Sequence, residues 1–177
     1  RDVLHDIRIP SDWGLEIGVL SEMYRNYAHN RLCQVDIAKT YDHKHQKLSI
    51  GDDQGGLSKM SIDITKALFR KLATQGETFT TETFRSLKAT YYRIALDFVE
   101  TYHNDAVMNG LKLDIHNEEK AVEMFAENIM KAGQHFLERP MERPFIPSWN
   151  RVVSAMPDVL ERLKEAVELD NQEFGMN

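Results

Sequence analysis

The chain has 177 residues, of which 42% are hydrophobic and 28% charged, and its formal net charge at pH 7 is −6. This length suits one domain, or a domain with an extension, and its single cysteine excludes a disulfide framework and any multi-cysteine zinc site. No apolar run approaches the roughly 20 residues of a membrane span, and the acidic balance argues against non-specific nucleic-acid binding. We therefore expect a soluble, cytoplasmic protein that binds neither membranes nor nucleic acids.

The first predicted elements are a helix over residues 12–28 and a strand over residues 31–38. Ser11 and Asp12 are good N-cap residues, and apolar residues follow at helical spacing (Ile17, Leu20, Met23, Tyr24 and Tyr27). Over residues 31–38 apolar and polar residues alternate with period two, which predicts a strand with one buried face that includes Cys33. A strand needs a neighbour, so we expect this one to pair with residues 40–49 or, preferably, with a sheet from outside this chain.

Four more helices are predicted after an exposed loop at residues 51–56. Apolar residues recur every three or four positions over residues 60–72, 84–102, 122–136 and 159–167, and three prolines make residues 139–148 an extended link. The predicted boundary residues are Gly76 at the end of the first of these helices, and Asn117 and Ser154 as N-caps of the third and fourth. The cations of the first helix (Lys59, Lys66, Arg70 and Lys71) are interpreted as a solvated face.

Histidines dominate the segment that directly follows the predicted strand, Tyr41-Asp-His-Lys-His-Gln46. His43 and His45 would point to the same side of an extended backbone, and two histidines at this spacing can ligate a metal ion. The alternative is an exposed polar loop in which these histidines have no function.

A second cluster surrounds the start of the first helix, Ser11-Asp-Trp-Gly-Leu-Glu-Ile-Gly18. Glu16 lies in the first turn, where the helix dipole stabilises a negative charge, and it could position a substrate hydroxyl or act as a base. Gly14 and Gly18 lie four residues apart and allow another backbone or a ligand to approach this face. The alternative is an ordinary first-turn carboxylate. A third acidic cluster, residues 114–119, coincides with a helix start and is explained by capping.

These segments resemble the glucosyl-3-phosphoglycerate synthase and mannosyl-3-phosphoglycerate synthase family of retaining nucleotide-sugar glycosyltransferases. The resemblance rests on Trp13-Gly-Leu-Glu-Ile-Gly-Val-Leu20, on Gln34-Val-Asp36 followed by His43, and on Gly56-Leu-Ser-Lys-Met60, and it covers about residues 8–62. From about residue 77 onward the chain resembles the helical C-terminal extension of longer bacterial members. The resemblance implies the C-terminal portion of an α/β GT-A fold, mainly α with a small β element, followed by helices.

The family pattern also implies roles for single residues. It makes His43 a ligand of a catalytic Mg²⁺ or Mn²⁺, and it makes Glu16 a catalytic residue at the donor sugar with Trp13 and Gly14 beside it. Some members have Arg-x-His-x-Asn around the histidine, where the flanking residues help to hold phosphoglycerate. Here Tyr41 and His45 flank His43 and are predicted to bind substrate.

The predicted organisation is a catalytic part over residues 1–60 and a helical extension over residues 61–177. Because the chain starts at Arg1 without a signal-peptide pattern, we expect that it begins within a longer protein whose preceding part carries the Asp-x-Asp metal motif. The chain alone is then expected to be inactive, and its aromatic-rich helices to form a homodimer contact. The alternatives are a helical interaction module without catalysis and a metal-dependent hydrolase using Asp42, His43 and His45.

Overall fold

The computed structural model describes residue 7 and residues 9–27, 32–35, 46–140 and 148–175. Within these residues the chain forms six α-helices: α1 (Leu15–Asn26), α2 (Gly56–Thr74), α3 (Thr81–Met108), α4 (Ile115–Glu138), α5 (Trp149–Ala155) and α6 (Val159–Phe174). The central α4 packs against α2 and α3, α1 packs against α2, and α5 packs against α6. The five predicted helices are confirmed, and α5 is an additional short one. No helix in the described residues is long and apolar enough to cross a bilayer.

The predicted α/β fold class is wrong for the described residues, which form helices and no strand. Residues 32–35, the described part of the predicted strand, are all exposed, and Val35 is 73% exposed. Cys33 is exposed as well, contrary to its predicted burial. Alternating polarity indicates only that one face could be buried, whereas a strand also requires a neighbouring strand for its N–H and C=O groups. Within the described residues, no segment pairs with residues 32–35 in this way.

Helices α2 and α3 end in the same way, with a left-handed glycine two positions after the last helical residue. Gly76 follows α2 with φ of +98°, and Gly110 follows α3 with φ of +70°. The N–H of Glu77 donates to the carbonyl of Leu72 at 3.1 Å, and the N–H of Gly76 donates to Ala73. This pairing satisfies carbonyls that the helix leaves open, and it confirms the prediction that Gly76 closes the helix.

The starts of α4 and α6 differ from their predicted caps. Asp114 caps α4, and its side chain accepts a hydrogen bond from the N–H of Asn117 at 3.1 Å. The predicted cap Asn117 therefore lies inside the first turn, while the acidic cluster is explained by capping as expected. Ser154 belongs to α5 and donates to the carbonyl of Asn150, and the residue before α6 is Asp158. Several neighbouring residues could cap each helix, and only the path of the preceding backbone selects among them.

An aromatic cluster joins α2, α3 and α4. The ring of Phe84, 1% exposed, lies 4.8 Å from that of Phe69 and 5.6 Å from that of Phe79, measured between centroids. Phe136 completes the cluster with its centroid 5.7 Å from Phe79. The three pairs are tilted, stacked and edge-on respectively, and aromatic pairs of this kind add about 0.5–1.5 kcal/mol each to the free energy gained from burial.

A buried amide forms the second contact between α2 and α4. Asn128 on α4 is 1% exposed and donates to the hydroxyl of Ser61 at 2.7 Å and to that of Ser58 at 3.1 Å. Because an unsatisfied buried amide is costly, this bonding specifies which part of α4 faces the start of α2. Lys131 and Asp53 extend the contact with an ion pair at 2.5 Å.

Gly133 makes the close approach of α3 and α4 possible. A Cβ atom at this position would lie 2.5 Å from the ring of Phe84. An added Cβ usually stabilises a helical glycine, but here it requires a fully buried ring to move.

We expect Gly133→Ala to lower the free energy of unfolding by about 1–3 kcal/mol, since the aromatic cluster becomes overpacked. Urea denaturation measures the change. In a Phe84→Ala background the same substitution should cost much less, because the Cγ and Cδ atoms that the new methyl group would meet are gone. An equal cost in both backgrounds would contradict the explanation.

Candidate functional site

The candidate site begins with an exposed turn and the first residues of α1. Trp13 is 39% exposed, Glu16 is exposed in the first helical turn, and Gly14 between them is buried at the N-cap position. The carboxylate of Asp12 accepts a hydrogen bond from the N–H of Gly14 at 2.9 Å, which closes a turn directly before the helix. The side chains of Trp13 and Glu16 are thus both exposed to solvent at the start of α1.

The predicted close approach at Gly14 and Gly18 is confirmed. A Cβ atom at Gly14 would overlap Cβ of Ala67 on α2, and one at Gly18 would overlap the ring of Pro10. The two glycines therefore let α1 lie directly against α2 and against the chain that precedes it. The predicted apolar stripe is buried only in part. Leu20 and Tyr24 are 64% and 67% exposed, whereas Ile17 and Met23 are half-buried.

The cations of α2 do not form the predicted solvated face. Lys66 and Lys71 are buried, and a carboxylate lies beside each. The buried Asp63 lies 3.0 Å from Nζ of Lys59 and 3.4 Å from Nζ of Lys66. The sequence contained a signal for this arrangement, since Asp63 stands four residues after Lys59 and three before Lys66, the spacings at which helical side chains meet.

Two more pairs of opposite charge connect α2 to α1 and the turn before it. Nη1 of Arg70 lies 4.0 Å from Oδ2 of Asp12, whose side chain is 3% exposed. Further along the helices, Lys71 contacts Glu22. The sequence indicates no functional role for Asp12 or Arg70, because these two residues come together only once α1 lies on α2.

The remaining predicted site residues, Tyr41, His43 and His45, lie outside the described residues. Within the described part of the chain, no three His, Cys, Asp or Glu side chains are grouped so that they could hold a metal ion. The described site therefore consists of the Trp13–Glu16 turn and its support on α2.

A separate apolar face lies on the helical half. We use this term for the exposed side chains of Ile64, Leu68, Leu87, Ile94, Phe98 and Tyr102. They border two grooves of about 430 Å³ and 490 Å³, and Tyr91 lines both. Burial raises the pKa of Tyr91.

Two curated proteins are similar to almost the whole chain. Over 173 residues, or 98% of its length, the chain is 43% identical to a protein of Persephonella marina named glucosyl-3-phosphoglycerate synthase. Over 174 residues it is 40% identical to a protein of the same name from Methanococcoides burtonii. This chain is therefore homologous to part of a glucosyl-3-phosphoglycerate synthase. The resemblance inferred from the sequence is confirmed.

The chain spans 43% and 42% of the lengths of these glucosyl-3-phosphoglycerate synthases. No family model matches the chain, and no solved structure matches it. The described helices thus belong to a chain that is similar to about two fifths of each relative.

Proposed function

We propose that the chain is the C-terminal part of a retaining hexosyltransferase that transfers a hexose from a nucleotide sugar to 3-phosphoglycerate or a related glycerate. The observation that carries this proposal is the similarity of 98% of the chain to two proteins named glucosyl-3-phosphoglycerate synthase. Synthesis of glucosyl-3-phosphoglycerate, the compound in the name of these relatives, requires a glucosyl donor and a phosphoglycerate acceptor. Residues outside this chain would complete the enzyme, so the chain alone is expected to be inactive.

In this reaction the bond between C1 of the sugar and the diphosphate oxygen breaks. A bond from C1 to the acceptor hydroxyl oxygen forms with the same configuration, and the hydroxyl proton passes to a base. The Glu16 carboxylate, exposed at the start of α1, is suited to accept hydrogen bonds from sugar hydroxyls. The exposed ring of Trp13 beside it offers an apolar surface for the sugar. These residues would contribute orientation of the donor.

The acceptor and metal functions are proposed for the segment after residue 40. His43 would ligate Mg²⁺ or Mn²⁺, and Tyr41 and His45 would contact the acceptor or donor. When bound, such an ion stabilises negative charge on the departing diphosphate. In this proposal residues 1–60 belong to the catalytic part and residues 61–177 form the helical extension. The helix α2, which begins at Gly56, runs from one part into the other.

A role for Glu16 in catalysis is tested by Glu16→Gln in the full-length protein. We expect turnover to fall about tenfold or more with little change in melting temperature, because a first-turn acid adds only ~0.3–1 kcal/mol to stability. Steady-state kinetics and thermal denaturation measure the two effects. Glu123→Gln, at an exposed position of α4, is the matched control and should change neither. Normal turnover combined with a large loss of stability would show a purely structural role.

The proposed metal ligand is tested by His43→Ala. Metal-dependent turnover should fall by about a hundredfold or more, because one ligand of the ion is lost, while the far-ultraviolet circular dichroism stays the same. His116→Ala removes a largely exposed histidine at the start of α4 and should leave turnover unchanged. Full activity of the His43 variant at limiting metal would exclude the ligand role.

We also propose that the apolar face contacts a second copy of the chain in a homodimer. Exposed apolar patches of this kind are rare on monomers, and two-fold dimers are the commonest oligomers. The charge distribution along α3 also favours a second copy of the chain as the partner. The first half of α3 carries Arg85, Lys88, which contacts Glu127 of α4, and Arg93, which lies 3.5 Å from Asp97. The second half adds the acids Glu100 and Asp105. An antiparallel second α3 would place opposite charges together.

The dimer is tested by light scattering on the full-length protein at micromolar concentration. We expect a dimeric mass, which Phe98→Asp should convert to a monomeric one, since a carboxylate would be buried in the apolar contact. Leu20→Asp places the same charge on an equally exposed residue of α1 and should leave the dimer intact. A monomeric mass for the unaltered protein would refute the proposal.

A further inference from the structure

The carboxylate of Asp12 is buried beside two solvent-exposed residues of the candidate site. Its side chain is 3% exposed, one oxygen accepts the N–H of Gly14 at 2.9 Å, and the other lies 4.0 Å from Nη1 of Arg70. A carboxylate with so little access to water requires hydrogen bonds or a nearby cation, and here it has both. Asp12 therefore connects the turn before α1 to the side of α2.

The same turn has no freedom to move towards α2. The Cα of Gly14 lies so near Ala67 that a Cβ would overlap it, and such a Cβ would lie 3.0 Å from Oδ1 of Asp12 and 3.5 Å from the carbonyl oxygen of Asp63. The backbone of Trp13 and Gly14 is thus held from one side by steric contact and from the other by the Asp12 hydrogen bond. Glu16 follows within one helical turn.

We propose that Asp12 and Arg70 are positioning residues that set the direction of Trp13 and Glu16 towards the sugar donor. The inference rests on the proposed transferase function, and it adds the two residues that hold the turn carrying Trp13 and Glu16. Arg70 itself does not touch the donor in this proposal. It acts by holding the charged Asp12 in place, so that the exposed side chains project from a rigid turn. Well-oriented groups gain their catalytic effect from such support.

The other end of α1 provides a matched control. Glu22 contacts Lys71, and both side chains are largely buried, at 14% and 8% exposure. Nη1 of Arg25 donates to the hydroxyl of Thr74 at 3.3 Å. Weakening this end loosens α1 from α2 without touching the turn that carries Trp13. If α1 had only to be attached, substitutions at the two ends would have the same effect.

The kinetic test compares Arg70→Ala, Arg70→Lys and Glu22→Gln in the full-length protein. Arg70→Ala should lower kcat/KM for the nucleotide sugar by about 10- to 100-fold, and Arg70→Lys should recover most of the loss by restoring a cation. Glu22→Gln should lower the melting temperature yet leave kcat/KM within about twofold of the unaltered protein. Equal kinetic effects of Arg70→Ala and Glu22→Gln would overturn the positioning role.

A spectroscopic test is independent of activity. With 5-fluorotryptophan incorporated, the ¹⁹F resonance of Trp13 is assigned by its loss in Trp13→Phe. Arg70→Ala should shift or broaden this resonance and leave that of Trp149 unchanged, whereas Glu22→Gln should affect neither. An unchanged Trp13 resonance would overturn the inference. If Arg70→Ala does not fold, Asp12→Asn, which keeps an oxygen for Gly14 but loses the charge, serves the same comparison.

The two tests separate the inference from the proposed function. An unaltered protein that transfers no hexose refutes the transferase proposal, while the Trp13 resonance still decides whether Asp12 and Arg70 orient the turn. A shifted resonance together with an unchanged kcat/KM refutes the role of this turn at the donor.

Discussion

Ile62 and Phe69 of α2 pack into the same cluster as Phe84 of α3 and Ala132 of α4, and Asn128 bonds to serines of α2 a few residues away. The apolar part contributes most of the free energy, since burial of a large side chain is worth about 1.5–3 kcal/mol. The amide contributes specificity, because sliding α4 along α2 would leave its donors unsatisfied. The position of α2 set by these contacts determines where α1 and its exposed turn are held.

The two sides of α2 use different physical interactions. Towards α3 and α4 it presents rings and aliphatic side chains, whereas towards α1 it presents charge, with Asp12 and Glu22 each beside an α2 cation. Gly14 and Gly18 bring α1 so close to α2 that these charged side chains are shielded from water. Buried pairs depend strongly on geometry, because loss of one partner leaves an uncompensated charge. A helix attached in this way holds its first turn in a defined direction.

Much of the helical architecture was predictable from the sequence, and the candidate site was predictable in part. Gly76 as a helix terminator and the close approach at Gly14 and Gly18 follow from local conformational rules, and the structure agrees with both. The burial of Lys66 was missed, although Asp63 stands at pairing distance along the helix. Whether a lysine is buried depends on which other parts of the chain pack over it. The sequence does not show this packing, so a lysine on a helix is interpreted as solvated. The strand predicted over residues 31–38 is absent from its described part, residues 32–35, for a similar reason, since alternation does not reveal whether a neighbouring strand exists.

The helices and the family were predictable from the sequence, because helical periodicity and the Trp13–Leu20 segment are properties of neighbouring residues. It also placed Glu16 in a first helical turn, where the structure has it. Three features emerge only in the folded chain: α1 lies on α2 through its glycine face, Asp12 meets Arg70 across 58 positions of the chain, and Leu20 stays exposed. These outcomes depend on which surfaces come together. The free energy that selects one arrangement of these surfaces is a sum over contacts between residues far apart in the chain.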